Sequence, residues 1–234
     1  VEFLNYFKKR SKTAIPKCIL LAKDKSFGGY EIVKGRQLRN SYLKKLSKSE
    51  RTKVAKDLGR FLTELHSIPL ADAKKLGTMD EMTIEESLRK LIKETKKHLQ
   101  NNVSKEGWRE IQNFLRIMKE SYHSSGKRVL THNDLSWQHI IIDKSKKIGI
   151  IDFRDRAVAD PSVDFALLEI YSGYGKEFVG EVYANYKFKD KNLLDRARMY
   201  QGHRLLWHMV NAVRYYKMRG FEKEYRMLKK NFLN

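Results

Sequence analysis

Residues 129–155 read Val-Leu-Thr-His-Asn-Asp-Leu-Ser-Trp-Gln-His-Ile-Ile-Ile-Asp-Lys-Ser-Lys-Lys-Ile-Gly-Ile-Ile-Asp-Phe-Arg-Asp, and this stretch decides the reading of the chain. Two apolar β-type runs, Ile140 to Ile142 and Ile148 to Ile151, flank a polar turn, Asp143 to Lys147, so a hairpin is predicted. A polar loop, His132 to His139, leads into it, and Asp152 and Asp155 follow it. A hairpin brings its two ends together. The loop before it and the acids after it are therefore expected to face each other across one site.

That arrangement suits phosphoryl transfer. The reaction needs a carboxylate that orients and deprotonates an attacking hydroxyl, and ligands that hold Mg2+ against nucleotide phosphates. Asp134 fits the first need, and Asp152 with His139 fits the second. The protein-kinase signature has a catalytic Asp, a metal-binding residue five positions on, and then Asp-Phe-Gly. Here Asp134 is followed five positions on by His139, then by Asp152-Phe153-Arg154. On these residues the chain resembles the kinase-like fold and, within it, the aminoglycoside phosphotransferases. With histidine at the fifth place after Asp134, it is most similar to the 2″-phosphotransferase branch. The resemblance runs on through Ile150 to Phe153, Asp155, Asp160-Pro161 and Asp164-Phe165.

Composition bounds the alternatives. A chain of 234 residues can bury a sizeable core. No apolar run approaches the ~20 residues of a membrane-spanning helix, and no signal-peptide pattern is apparent at the N-terminus. A single cysteine, Cys18, cannot close an internal disulfide, which fits a reducing cytoplasm; a small buried side chain ahead of a strand is expected there. The net charge of +21 raises a nucleic-acid partner as an alternative. The lysines, however, are spread along helical segments among glutamates, as in Lys90, Lys93, Glu94, Lys96 and Lys97, and read as a solvated face.

Residues 1–11 read as the end of an amphipathic helix with Phe3, Leu4 and Phe7 on one face. Pro16 to Ala22 and Gly28 to Lys34 read as strands. Ser47 with Glu50 is a capping box opening a helix to about Ser67, on which Val54, Leu58, Phe61, Leu62 and Leu65 recur at helical spacing. His66, at its end, reads as a packed histidine. Residues 70–80 read as a loop. Thr83 with Glu86 reads as a second capping box for a helix to about Gln100, and Ser104 starts a third helix carrying Trp108, Ile111, Leu115 and Met118. Asp160-Pro161 reads as an N-cap and first helical residue, with the helix continuing to Ser172. Helices are expected over 176–186, 192–218 and 221–232.

The resemblance implies an α+β, protein-kinase-like fold. A remnant of the nucleotide lobe and the hinge would occupy 1–35, and a mostly α-helical C-terminal catalytic lobe with the central hairpin would occupy 36–234. No glycine-rich loop or phosphate-binding lysine is evident, so much of the N-terminal lobe is expected to be missing, and activity without it is in question. Asp134 would be the catalytic base, with His132 organising the loop and Asp164 bonding the loop from below. His139 and Asp152 would hold Mg2+. The hinge backbone at Glu31 and Val33 would meet the purine of ATP or GTP, walled by Ile141 and Ile151. Asn133, Asp155, Glu169 and Trp207 would meet the acceptor, although Trp207 also fits a core position. Ser172 stands where the 2″ branch has another acid. Arg154 replaces a glycine that tolerates positive φ. The implied activity is that of a monomeric aminoglycoside kinase, hence antibiotic resistance. A macrolide, choline or sugar kinase, an inactive truncated homologue, and a basic nucleic-acid-binding module are the alternatives.

Overall fold

The computed structural model describes residues 1–24, 26–78, 84–121 and 127–233. Its strands are β1 (Lys17–Leu21), β2 (Gly28–Glu31), β3 (Arg36–Gln37), β4 (Val129–Thr131), β5 (Ile140–Ile142), β6 (Ile148–Ile150) and β7 (Ala157–Ala159). Its helices are α1 (Glu2–Lys8), α2 (Asn40–Leu43), α3 (Lys48–His66), α4 (Leu70–Lys75) and α5 (Ile84–Leu99), then α6 (Lys105–Ser121), α7 (Ser162–Ile170), α8 (Gly175–Ala184), α9 (Leu193–Tyr215) and α10 (Phe221–Phe232). The mixed α+β composition agrees with the kinase-like expectation. Among the described residues no helix is long and apolar enough to cross a membrane.

The chain divides into two compact units. One comprises 1–81 and 127–191; the other comprises 82–126 and 192–234. In the second unit, α5, α6, α9 and α10 form a helical body, and Ser104 caps α6 through its Oγ, which accepts from the Gly107 N–H at 3.1 Å. The Thr83 capping box lies outside the described residues.

The first unit is built on the central hairpin. β5 and β6 pair antiparallel with Ile140 opposite Ile150 and Ile142 opposite Ile148, and β3 adds to the β5 edge. Both faces of this sheet are covered, so all six residues of β5 and β6 are buried. Such strands read as continuous apolar runs rather than as alternation. Asp143 organises the turn: its Oδ1 accepts from Ser145 Oγ at 2.8 Å and from the Lys147 N–H at 2.9 Å. At Gly149 a Cβ would stand 2.5 Å from Val33 Cγ1, so only glycine lets the chain after β2 lie across β6. β4 and β7 pair as a separate antiparallel ribbon.

Several boundaries differ from the sequence reading. Residues 70–75 form α4 rather than loop, and the strand from Gly28 ends at Glu31. Cys18 lies within β1 and is half-buried, not buried ahead of a strand. The Ser47–Glu50 capping box is present in both directions. Asp160 Oδ1 accepts from the Ser162 N–H at 2.9 Å, which is the expected capping bond with the helix start placed one residue later.

Candidate active site

Phe153 anchors the site. Its ring lies 5.4 Å from Phe3, 5.9 Å from Phe7, 6.2 Å from Phe61 and 4.9 Å from His132. The apolar face of α1 therefore pins the residue next to Asp152. Asp152 itself takes φ 60°, a left-handed conformation that a short polar side chain tolerates better than most. Arg154 is not among the positive-φ residues, so the backbone departure expected there falls two residues earlier.

The loop His132 to His139 is held from beneath by Asp164, whose side chain is fully buried. Its Oδ2 accepts from the His132 N–H at 3.0 Å and its Oδ1 from the Asn133 N–H at 2.9 Å. Oδ2 also lies 3.0 Å from His66 Nε2, and His66 Nδ1 lies 2.7 Å from the Tyr186 hydroxyl. Burial pushes the Tyr186 phenol up, so it stays a donor to Nδ1 and leaves the Nε2 proton for Asp164. Asn133, at φ 63°, donates from Nδ2 to the Asp155 carbonyl at 3.1 Å, tying the loop to the acids that follow the hairpin.

His132 is buried, and burial holds its imidazole below the usual histidine value. Its Nδ1 accepts from the Asp134 N–H at 3.3 Å, so the proton sits on Nε2, which faces the Ile151 carbonyl at 3.0 Å. It is a neutral spacer between the two sides of the site.

His139 joins the two carboxylates. Its Nδ1 lies 2.7 Å from the Asp134 carbonyl, an obligate acceptor, so Nδ1 carries a proton. The Asp134 Oδ2 is 3.4 Å from the same nitrogen. The opposite nitrogen, Nε2, faces Asp152 Oδ2 at 3.6 Å, wider than a hydrogen bond. In the neutral ring two lone pairs thus oppose one another and a cation between them is favoured. Metal-binding histidines characteristically give their other N–H to a carbonyl or carboxylate in this way. Mg2+ is commonly held by one or two carboxylates plus phosphates and water, so Asp152 fits that sparse donor set while the His139 imidazole is an unusual ligand for this ion. Among the described residues no group of three or more His, Cys, Asp or Glu is placed to hold a metal.

An aspartate that ends a buried strand is expected to need a partner. The Asp152 side chain is instead 43% exposed, and it faces open space beside His139. It borders a cavity of about 1010 Å³ that is also lined by Glu31, Val33, Ile141, Ile151 and Arg154. The residues singled out for the purine and one singled out for the metal therefore share one cavity. Glu169 is half-buried near the end of α7. Ser172 is buried, with its Oγ 3.4 Å from the Leu167 carbonyl. Trp207 belongs to the second unit, where it lies against His203 and under Lys90. Tyr186 and the pairing of Arg154 Nε with Asp155 Oδ1 at 3.5 Å escaped the sequence reading. Tyr186 lies 120 positions from His66 and belongs to no local motif, whereas Arg154 and Asp155 are neighbours whose contact depends on side-chain direction.

The model of the phosphotransferase enzyme family matches residues 1–200. Among solved structures, the GDP and kanamycin complex of APH(2″)-IIIa superposes with a TM-score of 0.88 at 19% identity, covering 99% of this chain and 80% of that one. The streptomycin–ATP–APH(2″)-IIa ternary complex gives 0.70 at 24% identity, covering 97% and 79%. The macrolide 2′-phosphotransferase MphH from Brachybacterium faecium gives 0.69 at 14% identity, covering 97% and 77%.

Proposed function

This chain belongs to the phosphotransferase enzyme family, and we propose that it moves the γ-phosphate of ATP or GTP onto a hydroxyl of an aminoglycoside. The observation that carries the reading is the His139 ring, bonded through Nδ1 to Asp134 and presenting Nε2 to Asp152. Asp134, 35% exposed, accepts the acceptor's hydroxyl proton and orients its oxygen. His139 and Asp152 hold Mg2+, which when bound offsets the charge that gathers on the phosphates. Glu31 and Val33 offer backbone groups to the purine, and Ile141 and Ile151 wall its faces. Asn133, Asp155 and Glu169 meet the acceptor.

Charge opposes a cationic acceptor less in the site segment than elsewhere in the chain. Residues 127–191 carry ten Asp and Glu against eleven Lys and Arg, whereas the whole chain is at +21. The site segment is thus close to neutral within a protein that otherwise repels cations. One observation favours a second reading, an acceptor of lower charge such as a macrolide, choline or sugar. Arg154 sits on Asp155, and Ser172 adds no acid. The reducing cytoplasm remains the compartment that the lone cysteine fits.

Nucleotide diphosphate release with kanamycin, a macrolide and a neutral sugar, each with ATP and with GTP, tests the proposal. Turnover of kanamycin is expected, with Asp134→Asn lowering kcat by about 10²–10⁴ while nucleotide binding persists. Turnover of the macrolide or sugar without kanamycin sinks the aminoglycoside assignment.

A further inference from the structure

Arg154 is unused in the roles above, and the backbone gives no reason for it. The kinase signature has glycine at this place, yet Arg154 is not among the positive-φ residues, so its side chain is what needs explaining. That side chain is 82% exposed and borders the same cavity as Asp152 and the purine-facing residues. Arg156 borders the cavity too, but it is committed to the fold. Its Nη1 donates to the Phe153 carbonyl at 3.1 Å and its Nη2 to the Leu76 carbonyl at 2.9 Å, and its guanidinium lies over Phe3. Arg154 has a loose pairing by comparison among the described residues, Nε to Asp155 Oδ1 at 3.5 Å, with Asp155 itself 52% exposed.

An exposed ion pair of this length binds weakly. A phosphate offers the same guanidinium two parallel charge-assisted hydrogen bonds, a stronger and better-shaped partner. We propose that Arg154 exchanges Asp155 for the phosphates of the bound nucleotide, making it the phosphate-contacting cation of this cavity. The exchange rests on the phosphotransfer reading and leaves the Asp155 carboxylate unpaired on the acceptor side.

Calorimetric titration with ADP and with GDP, each with Mg2+, on the full chain and on Arg154→Ala, Arg154→Lys and Asp155→Asn tests it. Arg154→Ala is expected to weaken the better nucleotide about tenfold, the loss of one charge-assisted contact. Arg154→Lys should restore part of that loss through its point charge. Asp155→Asn should bind at least as tightly as the parent, because it removes the competing carboxylate. Arg154 is exposed, so melting curves of its variants should match the parent's. Unchanged affinity in Arg154→Ala, or an Asp155→Asn as weak as Arg154→Ala, overturns the exchange and leaves phosphotransfer standing. No nucleotide binding by the parent chain overturns both.

Discussion

β1–β2 and β5–β6 are both antiparallel hairpins rich in apolar residues, yet they sit in opposite environments. In β5 and β6 every residue is buried, with Ile140 and Ile150 at 0% exposure. In β1, Ile19, Leu20 and Leu21 are all exposed, and Ile32, just past β2, is 85% exposed. A buried hairpin fixes side chains through dense packing. It can therefore hold the loop at one end and Asp152 at the other at a set separation. An exposed hairpin has its backbone held mainly by the ladder, which suits recognition by backbone groups such as those of Glu31, the last residue of β2. The two halves of the proposed nucleotide site thus rest on different physics.

Perturbing the support of the buried hairpin should have the largest effect. Asp164→Ala removes a fully buried carboxylate and strands His66 and two loop N–H groups, so a loss of about 3–5 kcal/mol is expected in chemical denaturation. Ile150→Ala should cost about 2–5 kcal/mol, since its side chain is wholly enclosed. A value well below that range would mean that the core there relaxes and does not set the site.

The pH dependence is smaller and its sign is determined. His132 is held below the unfolded value of about 6.5 by burial, so the unfolded chain binds more protons in that window. Its contribution to stability is full above 6.5 and is lost as pH falls through the folded value. His203, in the second unit, is brought to about 4 mainly by burial and acts in the same direction. Denaturation midpoints should therefore fall on acidification below pH 6.5. His132→Gln should fall less steeply than its parent, which separates the two histidines. Ile19→Ala, on the exposed hairpin, should shift stability by no more than about 0.5 kcal/mol. A loss comparable to that of Ile150→Ala would erase the contrast between the hairpins.

The sequence alone was most informative where interactions are local. The Ser47–Glu50 box and the Asp143 turn depend on residues a few positions apart, so spacing reveals them. The hairpin and the acids flanking it were legible for the same reason: an apolar run broken by a polar turn has few other folds. Asp164 beneath the loop was legible through family resemblance rather than periodicity. α4 was missed because Pro69 and the short run after it carry no apolar repeat long enough to register. The exposure of β1 was equally hidden, since an apolar run reads the same whether or not another layer covers it.

By itself the sequence determined the central hairpin, the identities of the residues at its two ends and the chemistry those identities allow. Tertiary structure decided which nitrogen of His139 meets which aspartate, that Asp152 turns left-handed next to Phe153, whose ring packs on Phe3, Phe7 and Phe61, and that Asp164 meets both His66 and the loop N–H groups. Local order follows from bonds between near neighbours. The direction in which a ring or carboxylate points follows from packing between residues far apart in the chain, and no short stretch of sequence contains that information.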